Sequence, residues 1–327
     1  MKNNKIKKSK LSNFKNKLDF WATNSEEGGW NISSTDEGSQ KMLEDENEKQ
    51  IKIQTGTEVV DDFVIDEDTS DDERMIVNMG PQHPSTHGVL RLQAELEGEV
   101  VRRVKPIIGY LHTGMEKTGE ELNYFQGPTN TTRMDYLSPL FNELVFSLTT
   151  EKLIGIEVPK RAETIRILMT ELNRVSSHLV ALATGGMDIG ALSMMIFGFR
   201  ERELILNFFE KTTGLRMNHN YIRPGGVAAD LPDGWQKDVE EILKIIPEKL
   251  QDYDDMLLDN PIWKGRLQNV GILTTEECFA YGVTGPSLRA SGYSWDLRKS
   301  QPYSGIENYE FDVPTLTEGD VFARWRV

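Results

Sequence analysis

The sequence contains a single cysteine, Cys278, in 327 residues. One thiol excludes a disulfide framework within the chain. It also excludes a thiolate-held iron–sulfur cluster, because such a cluster takes about four cysteine ligands. Cys278 lies beside Phe279 on a predicted short helix, where a cysteine most often serves as a small apolar filler.

Long apolar runs are also missing. The most apolar helical stretch, residues 191–209, is interrupted by Arg200-Glu201-Arg202-Glu203. We therefore predict no membrane-spanning helix. The lysine-rich start lacks an apolar segment, a cleavage site and arginine, which predicts neither a secretory signal nor a mitochondrial presequence. The chain is therefore expected to stay in the cytosol.

Several catalytic and nucleotide-binding motifs are absent as well. The sequence has no Gly-x-Gly-x-x-Gly between a strand and a helix and no Gly-Lys-Ser/Thr phosphate loop, which argues against nucleotide binding. It also has no Gly-x-Ser-x-Gly elbow and no His-Glu-x-x-His helix.

Charge is distributed unevenly along the chain and separates its first 73 residues from the remainder. Residues 1–17 carry seven lysines and no acid, residues 18–73 carry eighteen acids and three lysines, and residues 74–327 are left with a formal charge of −7. Such charge blocks with few large apolar groups predict a disordered arm over residues 1–73 and a folded domain over residues 74–327. The lysine cluster is either a solvated tail or a tether to an anionic partner or membrane surface.

The folded part is predicted to be α+β, a small antiparallel β region followed by a bundle of long helices. Strands are predicted at residues 75–79, 89–96 and 100–107. Helices are predicted at residues 115–125, 134–154, from Pro159 to a stop at Thr184-Gly185-Gly186, at 191–213, at 235–258 with a kink or break at Pro247, and at 275–281. We expect residues 261–273 to be extended, 285–305 to form loops and 315–327 to begin a helix.

The loop over residues 80–88 is the first candidate for chemistry. Two prolines and two glycines fix an irregular backbone that carries His83 and His87 and leads into a strand. The i, i+4 spacing of these histidines would suit a metal on a helix, but Pro84 argues against a helix here. A histidine on a stiff loop suits proton chemistry, and such a loop is also a common entry to a hairpin.

Three other positions remain open on residue type alone. His178 is expected as a core histidine rather than a proton relay, and the loop histidines His112 and His219 are interpreted in the same way. Asp188, at a corner between two apolar helices, is either functional or a cap or ion-pair partner. Tyr136 is expected at the edge of a helical apolar stripe, half-buried with its hydroxyl reaching out.

A series of specific sequence motifs runs from about Arg74 onward. They are Asn78-Met-Gly-Pro-Gln-His-Pro-Ser-Thr-His-Gly-Val-Leu-Arg-Leu92, Ile108-Gly-Tyr-Leu-His-Thr-Gly-Met-Glu-Lys117, Arg133-Met-Asp-Tyr136, Pro159-Lys-Arg-Ala-Glu-Thr-Ile-Arg166, Asp188-Ile-Gly-Ala191, Asn220-Tyr-Ile-Arg-Pro-Gly-Gly226, Leu288-Arg-Ala-Ser-Gly292, Trp295-Asp-Leu-Arg-Lys299 and Glu310-Phe-Asp-Val-Pro314. With these motifs in this order, the sequence from about Arg74 onward resembles a known family, the 49 kDa type subunit of respiratory complex I.

This resemblance implies a fold and a site. The family shares its fold with the large subunits of nickel–iron hydrogenases, whose paired Cys-x-x-Cys motifs this chain lacks. In the complex I family the corresponding region is a quinone cavity. Carried onto this chain, the quinone contacts fall on His87 and Tyr136, and Asp188 matches the partner of the histidine. His83 is then expected to shape the loop.

The resemblance also implies an assembly, a proton-translocating NADH:quinone oxidoreductase peripheral to the membrane on its cytoplasmic side. The expected substrate is a quinone, either ubiquinone or menaquinone, with no metal or flavin on this chain and NAD bound by another subunit. Expected partners are the iron–sulfur subunit carrying the terminal 4Fe-4S cluster, the 30-kDa-type subunit and other peripheral-arm and membrane-arm subunits, with no nucleic acid. The family continues beyond Val327, so a C-terminal portion is expected to be missing. The alternative is a scaffold subunit of a ferredoxin-linked or hydrogenase-related membrane complex.

Overall fold

A computed structural model of the chain describes residues 74–327. The predicted arm over residues 1–73, with its lysine cluster, lies outside the described residues. Three antiparallel strands come first, paired in the order β1-β2-β3. They are β1 (Arg74–Met79), β2 (Leu90–Glu97) and β3 (Val100–Ile108). Gly98 turns the β2–β3 hairpin with φ of 60°, so the predicted strands and their glycine turn are confirmed.

Helices make up most of the remaining described chain. They are α1 (Met115–Glu121), α2 (Gly127–Thr131), α3 (Pro139–Ile154), α4 (Lys160–Asp188), α5 (Leu192–Thr213), α6 (Trp235–Leu257), α7 (Pro261–Leu267), α8 (Thr275–Ala280), α9 (Gly285–Ala290), α10 (Leu297–Ser300) and α11 (Val321–Arg326). A two-stranded hairpin, β4 (Ile222–Arg223) with β5 (Gly226–Val227), lies between α5 and α6. The α+β class is confirmed in this outline.

The hydrophobic core lies among the long helices. α3, α4, α5 and α6 contribute most of it, and α7 adds two side chains. Fully buried members include Leu140, Met169, Leu179, Met194, Ile205, Phe209, Tyr253 and Leu267. No helix in the described part of the chain is long and apolar enough to cross a lipid bilayer.

The stop predicted at Thr184-Gly185-Gly186 is wrong, because α4 continues to Asp188. Gly186 is a packing position instead. A Cβ at this residue would lie 2.6 Å from the Cβ of Met194 on α5. The glycine therefore permits a close approach of two helices and does not terminate one of them.

Other boundaries differ for local reasons. α3 starts at Pro139 and not at residue 134, because Pro139 disfavours helical backbone in the residue before it. Residues 261–267 form α7 and are not extended, since the side chain of Asn260 accepts hydrogen bonds from the backbone N–H groups of Ile262 (2.9 Å) and Trp263 (3.2 Å). α6 runs through Pro247 without a break.

Three smaller differences between the predicted and the observed helices remain. α1 ends at Glu121, and α2 occupies part of the predicted connector. α9 and α10 lie within the predicted loop region of residues 285–305. The last helix begins after Asp320, whose Oδ1 accepts a hydrogen bond from the Ala323 N–H at 2.7 Å.

Candidate functional site

The loop before β2 is a rigid support for His87. His83 caps a single 3₁₀ turn, Pro84–Thr86, with its Nδ1 2.7 Å from the Ser85 hydroxyl. Thr86 is buried, and its hydroxyl donates to the His83 carbonyl oxygen at 3.1 Å. Gly80 has φ of 83°, and a side chain there would collide with the carbonyl oxygen of Leu90 on β2. The expectation that His83 shapes this loop agrees with these contacts.

His87 ends the turn in a left-handed conformation, with φ of 51°. Its Nε2 lies 3.0 Å from Oδ2 of Asp188, a residue 101 positions away in sequence. The two side chains remain 49% and 40% exposed. Because the carboxylate accepts a hydrogen bond, the contact orients the ring and places a proton on Nε2. An exposed pair of this kind contributes at most about 1 kcal/mol to stability.

Asp188 reaches His87 because it is the last residue of α4. Gly190, with φ of 101°, turns the chain sharply after it, and α5 begins two residues later. The predicted corner is therefore present, although it starts after Asp188. The loop before β2 and the end of α4 each contribute one half of the pair.

Tyr136 does not occupy the expected position. It lies in the turn before α3, outside any helix, and is 63% exposed, so the expectation of a half-buried helical tyrosine is wrong. The turn is held by Asp135, whose carbonyl oxygen accepts hydrogen bonds from the Ser138 N–H and the Asn142 amide, both at 3.0 Å. The hydroxyl of Tyr136 makes no hydrogen bond within residues 74–327. His87 and Asp188 are thus in direct contact, whereas Tyr136 makes no hydrogen bond to either of them.

Glu143 anchors the segment that carries Tyr136, and its residue type alone did not indicate this role. The carboxylate is fully buried on α3 and accepts hydrogen bonds from the Thr132 hydroxyl (2.7 Å) and from the backbone N–H groups of Asn220 (2.6 Å), Tyr221 (2.9 Å) and Ile222 (2.9 Å). Burial raises the pKa of Glu143, while these hydrogen bonds act in the opposite direction.

A second anchor that the sequence did not reveal is the pair of Glu151 and Arg166. Arg166 is fully buried and contacts the two carboxylate oxygens of Glu151 at 2.5 and 3.1 Å. The same guanidinium donates to the carbonyl oxygens of Arg223 (2.8 Å) and Gly226 (2.9 Å). Glu151 is buried, whereas its neighbour Lys152 is exposed. Glu143 and Glu151 recur at a helical spacing among the apolar residues of α3, and this spacing is the sequence signal for buried carboxylates on this helix.

A cavity of about 690 Å³ lies between α4, α6, α7 and α11. Its walls are mostly apolar and include Leu179, Ile246, Trp263 and Trp325. None of His87, Tyr136 and Asp188 lines this cavity, so the predicted site lies outside it.

His178 lines the cavity and is exposed, so the expectation that it is a core histidine is wrong. The protein atoms around the ring nevertheless desolvate it in part. This desolvation lowers the pKa of His178, and the charges of Arg174, Arg289 and Arg298 add to the effect.

The remaining candidates are accounted for by packing or exposure. His219 is buried, as expected, with its ring 4.9 Å from that of Phe209. His112 is exposed. Cys278 is fully buried on α8, in agreement with the predicted apolar role. Within residues 74–327, no three or more His, Cys, Asp or Glu side chains converge to hold a metal ion.

Comparison with known proteins identifies the relatives of this α+β chain. Residues 188–327 match the family model described as respiratory-chain NADH dehydrogenase, 49 Kd subunit. A D-type subunit of NADH-quinone oxidoreductase from Salinispora arenicola is 60% identical over 262 residues, which are 80% of this chain and 59% of that protein. The D-type subunits of the same enzyme from Rhodococcus jostii (60% over 258 residues; 78% and 59%) and Mycobacteroides abscessus (55% over 280 residues; 85% and 65%) are similar.

The chain is thus similar to subunits of respiratory-chain dehydrogenases. More specifically, the chain is similar to the family of the 49 kDa subunit of respiratory-chain NADH dehydrogenase, whose model matches residues 188–327. It spans about three fifths of the length of the curated relatives that it matches.

Proposed function

We propose that this chain forms much of the quinone-binding site of a proton-translocating NADH:quinone oxidoreductase, complex I or NDH-1. The observation that carries the proposal is the contact of His87 with Asp188, at 3.0 Å, between two segments that are far apart in sequence. The relatives are named as subunits of NADH-quinone oxidoreductase, which supports the same activity.

The residues fit the chemical needs of quinone reduction. Conversion of a quinone to a quinol adds two electrons and two protons, and negative charge develops on the carbonyl oxygens. Donors aimed at those oxygens stabilise that charge, each charge-assisted hydrogen bond contributing roughly 1.5–3 kcal/mol. His87 supplies one donor and can be reprotonated quickly. The exposed hydroxyl of Tyr136, which has no partner within the described residues, supplies the other.

Asp188 orients the His87 ring in this proposal. With Nε2 held by the carboxylate, Nδ1 is the ring nitrogen left to face a quinone oxygen. Donation from Nδ1 requires the protonated ring, and loss of that proton to the product leaves the neutral form with its remaining proton on Nε2. The carboxylate of Asp188 thereby keeps one tautomer and one ring orientation through the cycle.

The proposed assembly distributes the remaining chemistry over other chains. NADH, flavin and the iron–sulfur clusters belong to other subunits, and electrons reach the quinone from the terminal 4Fe-4S cluster of the neighbouring iron–sulfur subunit. The 30-kDa-type subunit and further peripheral-arm and membrane-arm subunits complete the complex on the cytoplasmic side of the membrane. The folded part, residues 74–327, is proposed to follow the hydrogenase large-subunit fold.

The test uses the intact complex and the variants His87→Ala and Tyr136→Phe. Each is expected to lower NADH:quinone reductase activity by roughly tenfold to a hundredfold, because one donor to the developing charge is lost. Reduction of an artificial acceptor upstream of the quinone should remain normal. His112→Ala and Tyr309→Phe, both at exposed positions, are the matched controls. Normal quinone reduction in His87→Ala and Tyr136→Phe would show that the site is wrongly assigned.

A further inference from the structure

At the corner after α4, the carbonyl oxygen of Ile189 is not satisfied by the backbone of the helix itself. The N–H groups of Ile189, Gly190 and Ala191 turn back onto the carbonyl oxygens of Gly185 (3.2 Å), Met187 (3.0 Å) and Gly186 (2.8 Å). The Ile189 carbonyl oxygen accepts none of these hydrogen bonds. It is one residue beyond Asp188, so whatever binds it also fixes the end of the helix that presents the carboxylate.

Arg266 binds that carbonyl from a distant element. Its Nη1 donates a hydrogen bond to the Ile189 oxygen, across 77 positions of sequence. The guanidinium also fills the space beside Gly190, where a Cβ would lie 2.7 Å from Nη1. The φ of Gly190, 101°, favours a glycine here, and a side chain at this position would also displace the Arg266 guanidinium.

The helix that carries Arg266 is itself firmly placed. Asn260 caps its N-terminus, and Trp263 and Leu267 are buried in the core on either side of the arginine. The ring of Trp263 packs edge-on against Trp325 at 5.6 Å. A short, anchored helix thus holds the guanidinium against the corner.

Arg266 has no acidic partner in residues 74–327. Other arginines of the described chain, such as Arg161 and Arg298, pair with carboxylates at 2.7 Å. The charge of Arg266 instead faces the C-terminal end of α4, where exposed carbonyl groups concentrate negative potential. A cation at this end offsets the unfavourable placement of the Asp188 carboxylate on the last residue of the helix.

We propose that Arg266 is a positioning residue for the His87–Asp188 pair. It holds the corner at residues 189–190, so that the Asp188 carboxylate stays within hydrogen-bond distance of Nε2 of His87. This inference rests on the proposed quinone site, since it assigns a further residue to that site. Arg266 acts only through Asp188 and does not touch the quinone.

The test is a double-mutant cycle in the intact complex with Arg266→Met and Asp188→Asn. Arg266→Met is expected to lower kcat/KM for quinone by roughly tenfold to a hundredfold, as is usual for groups that orient an active-site donor. In the Asp188→Asn background the same substitution should have little further effect, because the carboxylate on which it acts has already been changed. Arg266→Lys, which keeps a charged donor, should retain more activity than Arg266→Met.

Arg324→Met is the matched control. Arg324 likewise binds backbone carbonyls, those of Gly271 (2.7 Å) and Gly319 (2.8 Å), but not the corner after Asp188. It should leave quinone kinetics unchanged. Subunit content and artificial-acceptor activity verify assembly in every variant.

Two results would overturn the inference: unchanged quinone kinetics in Arg266→Met, or the full fold-loss repeated in the Asp188→Asn background. If Asp188→Asn is too inactive for the cycle, equal losses in Arg266→Lys and Arg266→Met overturn it instead. Failure of the proposed function is distinguishable from failure of this inference. It would appear as normal quinone reduction in both His87→Ala and Asp188→Asn.

Discussion

His219 shows how a single buried side chain can make stability depend on pH. It is 4% exposed, and its Nε2 donates to the Arg216 carbonyl oxygen at 3.1 Å, while Nδ1 has no partner within the described residues. Burial lowers the pKa of His219 from 6.5 to about 4. The folded chain therefore carries the neutral ring at neutral pH, and the unfolded chain takes up a proton first as the pH falls.

We predict that His219→Phe weakens the acid sensitivity of folding. The unfolded state binds more protons than the folded state between pH 6.5 and 4, so the contribution of His219 is fully present above pH 6.5 and is lost toward pH 4. A shift of this size corresponds to about 3 kcal/mol over that window. Phenylalanine does not titrate and keeps a ring beside Phe209. Urea unfolding at several pH values measures the effect, and parallel stability curves for the two proteins would contradict it.

For single residues, the resemblance of the sequence to a known family implied the contact of His87 with Asp188, whereas the exposure of Tyr136 was not predicted. The family motifs named all three residues, and the contact of the first two follows from where α4 ends. Leu137 and Leu140 fit an apolar stripe, and this periodicity predicts a helix that includes Tyr136. Pro139 starts that helix later, and the local effect of one proline outweighed the periodicity.

At the scale of elements, glycines determine how closely α4 and α5 approach. A Cβ at Gly186 would lie 2.6 Å from the Met194 Cβ, and one at Gly198 would lie 2.8 Å from the Ala183 Cβ. A Cβ at Gly185, on the same helix as Gly186, would meet no atom within 4 Å. The three glycines therefore differ in the atoms that a Cβ at each position would meet.

We predict opposite effects of alanine at these positions. Gly186→Ala and Gly198→Ala should each destabilise the fold by about 1–3 kcal/mol, because the added methyl group forces the helices apart. Gly185→Ala should stabilise it by roughly 0.5–1 kcal/mol, because alanine loses less backbone entropy in a helix. Urea unfolding midpoints of the three variants provide the measurement. Effects of the same sign in all three would show that helix propensity, and not close packing, governs these sites.

Element boundaries were predictable where a local signal stood alone. The alternating strands with Gly98 at the turn agree with the prediction, as does the short helix α8, which Thr274 and Glu277 cap in the structure. The glycines of α4 could not be interpreted correctly, because a glycine at a helix end and a glycine at a helix crossing look alike in sequence. α7 was missed although Asn260-Pro261 is a local helix-start signal.

At the scale of the whole described molecule, the ion pair of Glu151 and Arg166 joins three parts of the fold. Glu151 belongs to α3, Arg166 to α4, and both bind the backbone of the β4–β5 hairpin. The Gly225 N–H donates to Glu151 at 2.8 Å. Glu143 makes a parallel connection from α3 to the segment before β4. Two buried carboxylates therefore fix the hairpin to the helix that follows the Tyr136 turn, and long-range contacts of this kind have no sequence period.

Loss of either partner of this pair should cost more than loss of both. Arg166→Met leaves the Glu151 carboxylate buried without its counter-charge, and Glu151→Leu leaves the guanidinium in the same state, so each is expected to destabilise the chain by about 3–5 kcal/mol. The double variant removes both charges and should cost less than either single variant. The hairpin should loosen in all three. Arg166→Met removes the donor to the carbonyl oxygens of Arg223 and Gly226, Glu151→Leu removes the acceptor of the Gly225 N–H, and the double variant removes both. Urea unfolding gives the energies, and hydrogen exchange over residues 221–229 reports the hairpin. Additive energies would show that the two charges act independently, contrary to the bidentate geometry.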